Sequence, residues 1–305
     1  MKNNLFRFLL FTAFVVSSLT AATAQQVKPK TSEKKAETSA LLYRVTGKDL
    51  KKPSYLFGTI HIICQPDMLP MDKLNGYLDQ TERLVLEIDM DDAGEMQTMQ
   101  KALLIPGGKT FTEFLKPEQT AKIDELLKST LGASIEQVKS LRPMMLQIMM
   151  MSSPKVIGCN PPSSYEMTFL QAATQKKKPI EGLETVASQM EALDSQPLEK
   201  QARQLYEAAL DPEKGFNDFK KLLAAYKTQN SDALYDLIDA QIPAADKAFQ
   251  TRLVDARNIA WIPKIEKMIL EKPSFIAVGG GHLGGKNGVI KLLKAKGYQV
   301  QAIKL

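Results

Sequence analysis

The sequence predicts an α/β protein: a mixed or parallel sheet built from two end segments of one plan, with a mainly helical insertion between them. Three observations carry this. "SYLFGTIH" (54–61) and "SFIAVGGGH" (274–282) are strand-like runs that close on a glycine, with a histidine three residues later. His61 and His282 are the only histidines in 305 residues. "RLVLEID" (83–89) is a continuous apolar run of the kind that forms a strand buried on both faces, whereas from about residue 112 to 272 apolar residues recur at helical spacing.

The N-terminus is set aside first. Residues 1–24 have a basic start (Lys2, Arg7), an apolar stretch from Leu5 to Val16 and the small-residue pattern Ala22-Thr23-Ala24, the plan of a secretory signal peptide. A membrane anchor is the alternative, but the apolar run is short for a span. Residues 25–40 are polar and Lys-rich and are expected to form a flexible leader. That leaves 41–305 as one large domain or two closely packed ones. The formal charge of +6 falls to +4 once Lys2 and Arg7 are removed with no acid. The lysines are scattered rather than gathered with aromatics, so no nucleic-acid partner is expected. Export places the protein in a periplasm or outside the cell, where an even cysteine count favours a bond between Cys64 and Cys159. Two separate buried thiols are the other reading, and a cysteine metal site lacks the paired spacing it needs.

Along the chain, Leu41–Gly47 and Ser54–Ile60 read as a hairpin about the breaker Lys51-Lys52-Pro53. A helix near 71–80 and the strand 83–89 complete a strand, Gly-x-x-His loop, helix, strand unit. Helices follow from Pro117, over 134–152 with a kink or break at Pro143, and over 164–177. A short strand lies in "KPIEGLE" (178–184), and long helices cover 185–210, 216–228, 231–241 and 244–271. The C-terminus repeats the first unit: strand 274–280, loop 281–288, a helix that ends at Gly297, and strand 298–305. Each unit is expected to make a parallel pair. Met144, Met145, Met149, Met150 and Met151 fit the buried face of a helix, with copper ligation as the alternative.

The chemistry points to the glycine–histidine loops. Gly279 to Gly284 matches G-x-G-x-x-G, but a dinucleotide site also needs an acid closing the next strand, and "YQVQAIKL" has none. A glycine ending a buried strand lets backbone approach a ligand closely, and the crevice of a parallel sheet lies beyond the carboxyl ends of its strands. Gly58 with His61 and Gly279 with His282 both point there. Each histidine is either a ligand or acid–base group or a hydrogen-bonded scaffold residue. A metal site needs a carboxylate as well. Glu87 is the candidate, since a carboxylate in a buried run is costly unless paired or metal-bound. An ion pair with Arg or Lys, or a helix cap, would also account for it. Glu184 either faces the same crevice, as a base or further ligand, or sits in a helix's first turn. Glu166 reads as an N-terminal helix acid first and a site residue second, and Asp89 with the acidic run after it as solvated. Arg257 either orients a carboxylate or substrate group or makes a surface salt bridge.

"SYLFGTIH", "RLVLEID", "SSYEMTFLQAATQKKKPIEGLET", "RLVDARNIAWIPKI" and "AVGGGHLGGKNGVIKLLKAKGYQV" together resemble the TraB/GumN/TIKI group, in order from about Leu41 to the C-terminus. The resemblance implies a fold related to erythromycin-esterase-like and haem-binding ChaN-like proteins. It implies divalent-metal-dependent proteolysis, as in animal members that clip secreted signalling proteins. It makes His61 and His282 the motif histidines and Glu87 the acidic residue. At Glu166 the group's pattern leads one to expect Asp. The leading expectation is an exported hydrolase, a protease, with Mn²⁺, Co²⁺ or Zn²⁺ held by His61, His282 and Glu87 and peptide or protein as substrate. The alternatives are a haem or ligand carrier without turnover, with His61 or Tyr55 as axial ligand, and a structural or partner-binding domain.

Overall fold

A computed structural model describes residues 39–305; the expected signal peptide and most of the expected leader lie outside the described residues. The leader's last two positions, Ser39 and Ala40, are packed: Ser39 Oγ lies 2.9 Å from Ser231 Oγ, and Ala40 is fully buried. The first unit comprises β1 (Leu42–Thr46), β2 (Ser54–Thr59), α1 (Met71–Asp79) and β3 (Arg83–Ile88). Next come α2 (Ala93–Ala102), α3 (Pro117–Leu131), α4 (Ile135–Val138), α5 (Pro143–Met151), α6 (Pro154–Ile157), α7 (Tyr165–Gln175) and the strand β4 (Ile180–Glu184). Then follow α8 (Val186–Asp194), α9 (Leu198–Leu210), α10 (Pro212–Lys227), α11 (Ser231–Gln241), α12 (Lys247–Gln250) and α13 (Arg257–Glu271). The chain closes with β5 (Ser274–Gly279), α14 (Val289–Ala295) and β6 (Gln299–Ile303).

The six strands form one sheet in the order β4-β3-β5-β2-β1-β6. β1 is antiparallel to β2 and β6, while β2–β5, β5–β3 and β3–β4 are parallel. The α/β class is as expected, but neither end unit makes its own parallel pair. β5 lies between β2 and β3, and β6 pairs with β1. Burial explains this. β2 is buried at all six positions and β5 at five, so both need neighbours and cover on every side. β6 exposes Gln299 and Gln301 and suits an edge. Thr59 pairs with Gly279, so the two glycine–histidine turns leave the same edge of the sheet side by side.

Other elements differ from the periodicity. The acidic run after Asp89 starts α2: Asp92 accepts from the Glu95 N–H, an N-cap contact. Residues 185–210 break into α8 and α9 around Pro197, whose ring cannot continue a helix. The helix expected over 244–271 is interrupted by a π-helical segment, Thr251–Ala256, just before Arg257. Pro143 opens α5. Of the methionines expected in the core, only Met150 is fully buried; Met149 is exposed, and Met144, Met145 and Met151 are half-buried. α5 is apolar at every position but Gln147, yet it has core on one side only, where it contributes Leu146 and Met150.

Two apolar cores result. One covers the sheet and includes Phe57, Phe169, Trp261, Phe275 and Leu293. The other lies within the helical insertion, around Phe111, Leu127, Leu146 and Leu205. Cys64 and Cys159 are disulfide-bonded, and beside them Ile63 and Ser163 exchange backbone hydrogen bonds of 3.1 and 2.7 Å. The loop after His61 is thereby tied to the insertion. Among the described residues no helix is long and apolar enough to cross a membrane.

Candidate active site

The carboxyl ends of β2, β5, β3 and β4 deliver His61, His282, Glu87 and Glu184 to one cleft between the two cores. The glycines make the approach possible. A Cβ on Gly58 would lie 2.6 Å from Leu283 Cδ1 and 3.0 Å from the Gly280 Cα, so only glycine lets the two turns touch. A Cβ on Gly279 would lie 3.3 Å from Glu87 Oε1, 3.6 Å from His282 Cδ2 and 3.7 Å from His61 Nε2. The two histidines and Glu87 therefore surround the same small space over Gly279.

Each imidazole is held by its Nδ1. His61 Nδ1 lies 2.9 Å from Glu166 Oε1, and Glu166 also accepts from Thr59 Oγ1 at 2.5 Å and Ser164 Oγ at 2.6 Å. Glu166 is thus in the first turn of α7 and in the site at once. His282 Nδ1 lies 2.6 Å from Asn258 Oδ1. Asn258 Nδ2 donates to the His282 and Asn287 carbonyls at 3.2 and 2.9 Å, which turns its Oδ1 toward the ring. His282 therefore carries its proton on Nδ1 and offers the lone pair of Nε2 to the cleft.

Arg257 closes the site at its base. Its Nη2 donates to Glu87 Oε2 and Glu184 Oε1, each at 2.5 Å. Its Nε donates to Glu184 Oε1 at 2.9 Å, and its Nη1 to the Leu253 carbonyl at 2.9 Å and His282 Nε2 at 3.2 Å. Glu184 also accepts from Trp261 Nε1 at 3.2 Å and Gln189 Nε2 at 3.3 Å. The carboxylate offered above as a base or further ligand has both oxygens committed to donors. The π-helical segment supplies the Leu253 carbonyl, and such segments recur at functional sites.

The two histidines are tuned in opposite directions. Burial lowers the His282 pKa, reinforced by the charges of Arg257 and His61 and only partly offset by Glu87, to about 4. His61 also loses solvation, but the hydrogen bond and charge of Glu166 outweigh it and raise its pKa to about 9. At neutral pH His61 is thus an imidazolium and His282 a neutral base. For Glu87, burial alone would raise the pKa; His282, Arg257, His61 and the Gly279 N–H, 2.7 Å from Oε1, bring it to about 2. Glu166 likewise falls to about 2, where His61, Ser164 and Thr59 overcome its burial.

The donor chemistry suits a divalent transition metal. Two imidazoles with Nδ1 anchored on oxygen and Nε2 turned to a shared carboxylate are the parts of a His₂Glu centre, and His282 Nε2 is 3.9 Å from Glu87 Oε1. Arg257 Nη1 stands against that same Nε2, so an ion takes that lone pair only if the guanidinium gives way. Among the described residues no three His, Cys, Asp or Glu side chains form a ready-made metal cluster.

His61, His282, Glu87, Glu166, Glu184 and Arg257 are all brought together. Asn258, Trp261, Gln189, Thr59 and Ser164 were not foreseen. For Asn258 a signal existed: a polar Arg-Asn pair interrupts an apolar helix, and Asn258 is fully buried. Thr59 and Trp261 act through partners 107 and 77 positions away, which local spacing does not reveal, and Ser164 and Gln189, though near Glu166 and Glu184 in the chain, carry no signal of their own in a helix's first turns.

The chain is 22% identical over 305 residues to "Metalloprotease TIKI1" of Danio rerio, an alignment covering 82% of this chain. The chain spans 60% of that relative's length. No solved structure matches. The model of the TraB/PrgY/gumN family matches residues 41–302, from β1 through both glycine–histidine turns to β6, and the chain belongs to that family.

Proposed function

We propose that the protein is an exported, divalent-metal-dependent hydrolase of peptides or proteins. The observation that carries this is the convergence of His61 Nε2, His282 and Glu87 Oε1 on the space above Gly279, with each imidazole anchored through Nδ1. His61, His282 and Glu87 would hold the ion, with Mn²⁺, Co²⁺ or Zn²⁺ as candidates. Such an ion, when bound, polarises a carbonyl and makes water a nucleophile near neutral pH. The relative named as a metalloprotease supports the reaction class.

The chain's own groups have distinct tasks. Glu166 orients His61 and keeps a proton on it in the metal-free protein, so occupation of His61 Nε2 by an ion competes with that proton. Asn258 holds the His282 tautomer. Glu184 and Trp261 are positioning residues that hold Arg257. The guanidinium in turn keeps Glu87 ionised. Export is supported by the Cys64–Cys159 bond, since such bonds persist in oxidising compartments.

The experiment is hydrolysis of quenched fluorescent peptides by the purified mature protein. Chelation should abolish the activity, and Mn²⁺, Co²⁺ or Zn²⁺ should restore it. His61→Ala and His282→Ala should each lose bound metal and activity. If both variants keep full metal content and rate, the reading is wrong.

A further inference from the structure

Beyond the histidines the cleft opens into a chamber of about 530 Å³. Five methionines stand in its wall: Met90 beyond β3, Met99 of α2, Met144 and Met145 of α5, and Met190 of α8. All five are half-buried; Met90 packs against the sheet core, and the other four belong to neither core. Apolar side chains from three helices and the turn after β3 thus face one space, an arrangement that favours an apolar occupant. Methionine is unbranched and polarizable, so a wall of it adapts to several side-chain shapes rather than selecting one.

The charges decide what kind of occupant enters. Arg257 is the only lysine or arginine lining the chamber among the described residues. Its guanidinium is already held by Glu87 and Glu184. Glu166 is paired with His61. Away from the ion site, the chamber wall thus has no unpaired lysine or arginine among the described residues to receive a terminal carboxylate or a phosphate, and an anionic group against the methionines would be buried without a partner.

We propose that the chamber is a specificity pocket for an uncharged, internal peptide segment, which it grips through a large apolar side chain such as Leu, Met or Phe beside the bond to be cut. The protein then cuts within chains rather than trimming carboxyl termini. This rests on reading the cleft as a peptide-hydrolase centre. The step is amide hydrolysis: the water oxygen bonds to the carbonyl carbon, the C–N bond breaks, and the leaving nitrogen takes up a proton.

The test uses the mature, metal-supplemented protein and quenched peptides of one length, capped at both ends, with Leu, Met, Phe, Ala or Asp at the centre. A matching set carries a free terminal carboxylate next to the centre. Capped Leu, Met and Phe peptides should exceed Ala by about tenfold or more in kcat/KM, a step of the size an apolar pocket supplies. Asp and the free-carboxylate set should be poorest. Met145→Gln with Met190→Gln should narrow the Leu-to-Ala ratio to within about threefold. Equal rates across the set, or a preference for the free carboxylate, overturn the pocket while leaving the hydrolase reading intact. If no peptide is cut, the hydrolase reading fails, and binding decides the pocket. Trp261 is the single tryptophan, with its ring 4.6 Å from that of His282. Its fluorescence should report tighter binding of capped Leu and Phe peptides than of Ala, and no discrimination there overturns the pocket as well.

Discussion

At the scale of single residues, the site depends on two histidines that share a motif and differ in charge. Because the chain has two histidines, proton NMR should resolve both titrations: one near 9 for His61 and one near 4 for His282. Glu166→Gln removes the charge that holds the His61 proton, and the upper titration should drop toward the ordinary imidazole value of 6.5. An unchanged upper value would assign its cause elsewhere. Arg257→Met strands the Glu87 and Glu184 carboxylates together in a buried place, and breaking such a pair costs about 3–5 kcal/mol, measurable as a lower urea midpoint. His61, His282 and Glu87 were legible in the sequence because rare or costly residue types stood at the ends of apolar runs. The engagement of Arg257 with Glu184 was not, because those residues lie 73 positions apart and nothing local distinguishes that arginine from a surface one.

At the scale of elements, the contact between β2 and the turn after β5 is as tight as backbone allows. Gly58→Ala sets a methyl against Leu283 and the Gly280 backbone and should cost about 1–3 kcal/mol as overpacking, read by thermal denaturation. Gly279→Ala has more room, but its methyl occupies the space between His61, Glu87 and His282. Its expected signature is lost metal binding in calorimetric titration with the fold retained. The Cys64–Cys159 bond closes a loop of 95 residues, and replacing both cysteines with alanine should lower stability by about 2–4 kcal/mol. Strands and most helices were legible from periodicity. Their order in the sheet was not, since both end units satisfy the same local rules whether β5 joins β6 or inserts beside β2. Only the burial of β5 along most of its length selects the centre.

At the scale of the whole molecule, stability should peak near neutral pH. Folded His282 titrates near 4, against 6.5 for a free imidazole, so between those values the unfolded chain binds more protons. Stability therefore falls as pH drops from about 6.5 toward 4, by roughly 3 kcal/mol at most. Glu87 adds to the loss below its ordinary 4.5, down to about 2. His61 acts on the other side: its contribution is full below 6.5 and disappears as pH rises to about 9. Two-thirds of its side chain is exposed, so that slope is shallow. Melting temperatures between about pH 3 and 10 should trace this asymmetric dome, and a flat profile from 4 to 6.5 would contradict the assignment of a neutral buried His282. The position of β5 has a further consequence, for the timing of assembly. A chain synthesised from its N-terminus makes β2 and β3 early, yet the strand that joins them arrives only after the entire helical insertion. Until then the middle of the sheet is a gap with open edges, His61 and Glu87 lack their partner, and closure must wait for contacts between distant parts of the chain, which fold slowly. A chain interrupted before Ser274 therefore lacks both the centre of its sheet and its reactive site, so that the last strands to be made act as a checkpoint on the whole.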